Sequence, residues 1–182
     1  MKYLIITSFL LFTLYTNAQQ KIEIGVKMCG GIVGYILQKG DEGFVPNETH
    51  GLIVSEIDLG ESIKWFHDLG SITTTGAYGS DIGTGKSNTD LIVKSQVGNL
   101  KKYAAGLTRL YKGGGFEDWF LPSIEELNKI YVTREKIGNM SNAWYWSSSE
   151  GPNFNAWFLD FRFGIKELDL NSRKHVRAIR YF

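Results

Sequence analysis

Ser147, Ser148 and Ser149, with His175 and Asp160, are the only set in the sequence that combines a nucleophile, a base and an orienting acid. Three serines on a strand more often bond neighbouring backbone or an arginine, so a hydrolase ranks third among the functions considered below. Gly83-Thr84-Gly85-Lys86-Ser87 has the ending of a phosphate loop, in which backbone amides cradle phosphate and the lysine meets the terminal groups. The count fails: the first glycine of such a loop would stand at position 80, which is Ser80, and Gly79 comes one residue too early. A surface loop feeding a helix is the better reading. His50, His67 and His175 are scattered, and Cys29 is the single cysteine, so no ligand spacing suggests a metal, and no cofactor is expected. The acidic pairs Asp41-Glu42 and Glu56/Asp58 read as solvated loop carboxylates.

The remaining chemistry is recognition. In 156–163, Trp157, Leu159, Phe161 and Phe163 alternate with Phe158, Asp160 and Arg162, giving one apolar face and one that carries charge. Trp157, Phe158, Asp160 and Arg162 are the candidate ligand-binding residues. Aromatic faces cover the apolar side of a sugar, and charged groups hold its hydroxyls or sulfates. The alternative is that Trp157 packs inward and the two charges form an ordinary exposed pair. Arg177 and Arg180 need several acceptors each if buried, with Asp118, Glu150 and the serine run as candidate suppliers, and are expected to be structural. Trp119, Trp144 and Trp146 are expected in the core.

These residues need elements to position them, and 118–127 is the most informative stretch. Pro122 pushes Leu121 out of helical geometry, and Ser123 three residues before Glu126 has the spacing of a capping box. A helix follows with Ile124, Leu127, Ile130 and Tyr131 on one stripe, and Glu125, Glu126, Asn128 and Lys129 largely off it. Upstream, a short strand is expected at 22–26, strands at 32–37 and 51–55, and an extended segment at 63–66 with Trp65 in the core. Apolar residues at both parities of 32–37 predict a strand in the sheet's middle or under a loop layer. Helices are expected at 89–96, capped by Asn88 or Thr89, and at 100–111 with Leu100, Tyr103, Ala104, Leu107 and Leu110 inward. Strands are expected at 144–149, 156–163 and 174–182.

At 182 residues with 43% hydrophobic and 14% aromatic content, the chain reads as one α+β domain with many tight turns. Residues 1–18 read as a secretory signal peptide, with Lys2 ahead of an apolar run that is short of the roughly 20 residues needed to span a bilayer. Residues 19–30 form a short lead and 31–182 the domain. Removing Lys2 takes the formal charge from +1 to 0, so nucleic acid and anionic membrane are not expected partners, and no membrane span remains after cleavage. With one cysteine there is no internal disulfide, and Cys29 is expected as a passive thiol.

The motifs Asp118-Trp119-Phe120-Leu121-Pro122-Ser123, Glu126-Leu127, Trp146-Ser147-Ser148-Ser149-Glu150, Ala156-Trp157 and Val176-Arg177-Ala178-Ile179-Arg180 resemble the bacterial DUF1566 family, also called the Lcl C-terminal domain family. Gly31 to Leu37, His50 to Ile53, Ile63 to Trp65 and Gly83 to Thr89 are similar to its first half. The resemblance implies a C-type-lectin-like fold, with mixed or antiparallel sheets, two or three helices and long loops. Asp118, Trp119, Pro122, Ser123, Glu126, Trp146, Glu150, Arg177 and Arg180 are its structural motif. The long loop at 73–88 and the segment 153–162 then fall on the variable surface. Lectin calcium motifs do not carry over: Gly151-Pro152-Asn153 lacks the glutamate, and no Trp-Asn-Asp occurs. Cys29 lies far from the reactive cysteines of the formylglycine-generating enzymes that share the broad fold. The expected function is an exported cell-envelope or extracellular ligand-binding or adhesion domain, periplasmic, secreted or at the cell surface, with a glycan or a protein as ligand. The second expectation is a structural protein–protein interaction module, and an enzyme is not expected.

Overall fold

The computed structural model describes residues 21–67, 73–96 and 98–182, and the signal peptide expected at 1–18 lies outside them. The described residues form an α+β domain of two sheets and three α-helices. The first sheet runs β1 (Lys27–Met28), β2 (Gly31–Ile36), β3 (Gly51–Val54) and β9 (Ile179–Tyr181), all antiparallel. The second has the order β4 (Gly60–Ile63), β8 (Lys174–Val176), β5 (Trp144–Glu150), β6 (Ala156–Asp160) and β7 (Ile165–Asp169), with β5 and β8 parallel. The helices are α1 (Gly85–Ser95), α2 (Ala104–Leu110) and α3 (Ile124–Ile137).

Helix α3 starts as its sequence dictates. Ser123 Oγ accepts from Glu126 N at 3.2 Å while Glu126 Oε2 accepts from Ser123 N at 2.7 Å. Its apolar stripe, Ile124, Leu127 and Ile130, packs into a cluster with Leu52 and Val54 of the first sheet and Leu159 and Phe161 beside the second. Helices α1 and α2 cover the opposite face of the second sheet, where Ile92, Tyr103 and Ala104 meet Trp146, Phe158 and Val176. A third cluster, with Val33, Ile53, Trp119 and Ala178, covers the outer face of the first sheet. Both sheets are therefore largely sandwiched, which explains the two-parity apolar pattern of β2.

That double cover also overturns the one-sided reading of 156–163. Phe158 is buried on the helical side, Leu159 and Phe161 on the α3 side, and Phe163 is exposed. The strand stops at Asp160 because this carboxylate accepts from Arg162 N at 2.8 Å and its carbonyl accepts from Gly164 N at 2.7 Å, closing a turn. Gly164, at φ +72°, completes the turn and sends the chain back as β7, a strand the sequence reading omits. The strand expected over 174–182 is likewise two. At Arg177-Ala178 the chain crosses from the second sheet to the first, pinned by Ser55 N to Ala178 O at 2.9 Å and Ala178 N to Ser55 Oγ at 3.2 Å.

Other boundaries shift for local reasons. No strand forms at 22–26; pairing begins at Lys27. Helix α1 begins one turn earlier than expected, and Asn88 and Thr89 are buried within it, bonded to Gly79 O at 2.6 Å and Leu121 N at 3.0 Å. The expected helix at 100–111 is interrupted at Tyr103, whose extended backbone bridges Lys64, so a 3-10 turn precedes α2. Leu110 then faces solvent rather than the core.

Candidate functional site

Trp144 opens β5 and Asp160 closes β6, and the register of the two strands sets them directly opposite. Both side chains lie on one face at the sheet's end. Trp144 Nε1 donates to Asp160 Oδ2 at 2.9 Å. Arg162 Nε donates to Asp160 Oδ1 at 2.9 Å and Nη2 to Oδ2 at 2.5 Å, and the guanidinium stacks 4.8 Å from the Trp144 ring centre. The Arg162 bonds hold the Asp160 carboxyl at about 2, far below the usual carboxylate range. Asp160 is only 5% exposed, whereas Trp144 is 43% exposed. The carboxylate is thus a clamp and the indole an accessible surface.

Below Trp144 lies Lys174, whose side chain is 1% exposed. Its Nζ sits 3.9 Å from the Phe158 ring centre and 4.4 Å from that of Trp146, and bonds Asp169 Oδ2 at 2.6 Å. Burial pulls its pKa down, partly offset by Asp169. On the far side His175 Nδ1 lies 3.0 Å from Asp58 Oδ2. Between these walls is a cleft of about 270 Å³, lined by Glu61, Asn142, Trp144, Arg162, Arg173 and His175 among others. An exposed indole with a stacked guanidinium, flanked by hydrogen-bonding groups of both kinds, is chemically suited to polar, ring-shaped ligands.

The four residues read as a binding set are split by the strand's pleat. Asp160 and Arg162 are at the cleft, Phe158 is buried under it, and Trp157 packs partly buried on the α3 side, away from the others. In its place stands Trp144, which was expected in the core; at the strand end, no residue of a neighbouring element covers it completely. Arg173, His175 and Glu61 were also missed as cleft residues, because the parallel pairing of β8 with β5 and the antiparallel pairing of β4 with β8 bring them in from distant sequence.

The motif residues are structural anchors. Arg180 Nε and Nη2 bond Asp118 at 2.7 and 3.0 Å, and Arg180 lowers the Asp118 pKa through these bonds. Arg177 is buried, with Nη1 donating to Ser55 O at 2.8 Å, Nη2 to Asn139 O, and Nε 2.8 Å from Asp58 Oδ1 as an ion pair. Its carboxylate is thus Asp58 and not Glu150, and Asp58 is not a solvated loop acid. Glu150 instead accepts from Thr75 N, Thr75 Oγ1 and Gly76 N at 2.8, 2.7 and 3.0 Å, tying down the glycine-rich loop. Glu126, expected largely off the apolar stripe, is fully buried: it accepts from Gly83 N at 3.0 Å and from Tyr181 OH, and desolvation raises its pKa against those bonds. Trp119 and Trp146 are fully buried, their indoles donating to Gly113 O and Ile63 O, and Pro122 O accepts from Ser148 N at 2.7 Å.

The serine run does not converge on His175. Ser147 Oγ donates to Trp157 O at 2.7 Å, Ser149 Oγ to Gly79 O at 2.7 Å, and Ser148 Oγ accepts from Asn88. All three are buried. At the phosphate-loop lookalike, Gly83 N is taken by Glu126, and a side chain on Gly83 would meet Glu42, so carboxylates occupy the place where a phosphate would sit. Among the described residues no helix is long and apolar enough to cross a membrane.

No family model matches the chain, and no curated protein matches it. Among solved structures it is similar to a fimbrial protein from Bacteroides ovatus ATCC 8483, with a TM-score of 0.49 and 16% identity. That match covers 83% of this chain and 43% of the other, so the chain spans less than half the length of the fimbrial protein.

Proposed function

We propose that the chain is an exported ligand-binding or adhesion domain of the DUF1566 type, C-type-lectin-like in fold, and that a saccharide docks in the cleft beside Trp144. The observation that carries this reading is the clamp itself. A tryptophan left 43% exposed is held in one orientation by a buried aspartate and a stacked arginine, rather than being left to rotate. Fixing an aromatic in place before binding removes part of the ordering cost that a ligand would otherwise meet. The test is glycan-array binding by residues 19–182, with and without a chelator. Binding that is retained with chelator and lost in Trp144→Ala is the expected result, and binding unaffected by Trp144→Ala counts against the cleft.

A second reading, a protein–protein interaction module, is favoured by a different surface. Strand β7 is an outer strand of its sheet, and Phe163, Ile165 and Leu168 on and before it are exposed. An open strand with apolar side chains is a template for a partner's strand. Pull-down of a protein partner that is lost when Ile165 and Leu168 are both changed to Lys, with Trp144→Ala harmless, is the outcome that reading expects.

A further inference from the structure

The cations in and directly behind the cleft are mostly paired. Arg162 pairs with Asp160, Lys174 with Asp169 and Arg177 with Asp58. Arg173 and Glu61 line the same cleft, and neither makes an ion pair among the described residues; Arg173 Nη1 donates to Ser62 O at 3.1 Å. Four cations thus stand against these four carboxylates, and Glu167, whose charge acts on both Arg162 and Lys174, adds a fifth, so with His175 neutral the cleft has no excess of positive charge. One proton on His175 offsets that fifth carboxylate and adds a charged donor at the cleft wall.

His175 is held in orientation from one side. Asp58 Oδ2 takes its Nδ1 at 3.0 Å and is itself held by Tyr145 OH at 2.9 Å, while Arg177 lies against Oδ1. Burial pushes the Tyr145 hydroxyl up to about 12, so it remains a donor to Asp58 throughout the physiological range. The far ring nitrogen, Nε2, has no hydrogen-bond partner among the described residues and is not among the buried atoms that lack one. It therefore meets solvent at the cleft wall.

We infer that His175, aimed by Asp58, is a specificity-determining residue of the cleft and makes it a seat for an acidic group, a carboxylate, sulfate or phosphate, whose affinity rises as the pH falls; this rests on the cleft being the ligand site. The sign follows from the tautomer. When neutral, His175 donates from Nδ1 to Asp58 and turns a lone pair at Nε2 toward the cleft, which repels an oxyanion. When protonated, the same nitrogen becomes a charged donor beside Arg173. Of the groups on neighbouring elements, Asp58, Tyr145 and Arg177 are paired or neutral, while Glu61 is an acid with no ion pair among the described residues, whose own protonation would also favour an anion. Loss of the pH dependence in His175→Gln is therefore what assigns the effect to the histidine.

The test uses inorganic sulfate as the probe and the mature full chain. Sulfate affinity is measured at about pH 5.5 and about pH 8, with the His175 ring nitrogens followed by NMR. The expected result is roughly tenfold tighter binding at the lower pH, the worth of one charge-assisted hydrogen bond. The ring should be protonated on Nδ1 at the higher pH, and its resonances should move with sulfate. His175→Gln should bind sulfate with no such pH dependence, while Arg173→Ala should weaken binding at both values and keep the ratio. Equal affinity at both values in the parent, an unchanged ratio in His175→Gln, or no sulfate binding at all overturns the inference. A neutral ring protonated on Nε2 overturns the positioning role of Asp58. Saccharide binding and its loss in Trp144→Ala bear on the cleft as such, so failure there is distinguishable from failure of the His175 role.

Discussion

Asp160→Asn is the substitution whose outcome the structure defines most sharply. Asparagine keeps the shape, but one of its two terminal atoms becomes a donor facing the donors of Trp144 and Arg162. Hydrogen bonds to a charged group are worth about 1.5 to 3 kcal/mol each in buried settings. The Arg162 side chain is 43% exposed, so water replaces part of what it loses. The net cost at neutral pH should be about 1 to 2 kcal/mol, or a few degrees in melting temperature for a domain of this size. The pH dependence has a definite sign. Asp160 has its folded pKa depressed from 3.8 to about 2. Its stabilisation is therefore present above the unfolded value and is lost as pH falls through the folded one. Urea denaturation of parent and variant, followed by tryptophan fluorescence near pH 7 and near pH 2, should give a gap at the first and little at the second. Equal midpoints near pH 7, or a gap that persists undiminished near pH 2, would refute the clamp. Read from the sequence, Asp160 and Arg162 are ligand contacts whose joint replacement should abolish binding and leave the melting temperature nearly unchanged; the 5% exposure of Asp160 reverses the second half of that expectation.

Three further changes probe the scaffold. Ser123→Ala should cost about 2 kcal/mol, roughly 1 for the cap and the rest for the bond that Ser123 Oγ donates to Asp81 O at 2.9 Å, measured by chemical denaturation. Gly85→Ala, which would favour an isolated helix, should instead destabilise by about 1 to 3 kcal/mol, because the new methyl would collide with the Glu126 carboxylate and lie 2.8 Å from Ser123 N. Calorimetry showing a raised melting temperature would contradict that packing. Arg177→Ala should cost about 3 to 5 kcal/mol by leaving Asp58 buried without its cation, and Arg177→Lys should recover only part of this, as read from urea midpoints.

What was legible in the sequence was what local chemistry decides. Ser123 and Glu126 announce a helix start whatever surrounds them, and the two-parity apolar run at 32–37 announces a strand in the sheet's middle or under a covering layer. The turn after Asp160 was written there too, in an aspartate followed four residues later by Gly164, but the apolar alternation running through it hid the signal. What depends on which strands become neighbours was not legible. Trp144 is exposed while Trp146, two residues along on the same face, is buried, because the sheet's cover ends between them. Trp157 and Asp160 are close in sequence but face opposite sides. Arg173 and His175 join Trp144 only through a parallel pairing that no short-range pattern encodes. Arg177 finds Asp58 rather than Glu150 for the same reason, and the cleft is made of such long-range choices.

The most direct measurement is an amide and indole NMR titration of residues 19–182 with a saccharide that binds on an array. Docking in the cleft predicts that the Trp144 indole N–H shifts most, together with Arg162 and the backbone of 172–176. The indoles of Trp65, Trp119 and Trp146, which are bonded to backbone carbonyls in the core, should stay still. Shifts confined to Phe163, Ile165 and Leu168, with the Trp144 indole unmoved, would contradict it and place recognition on the open edge of β7.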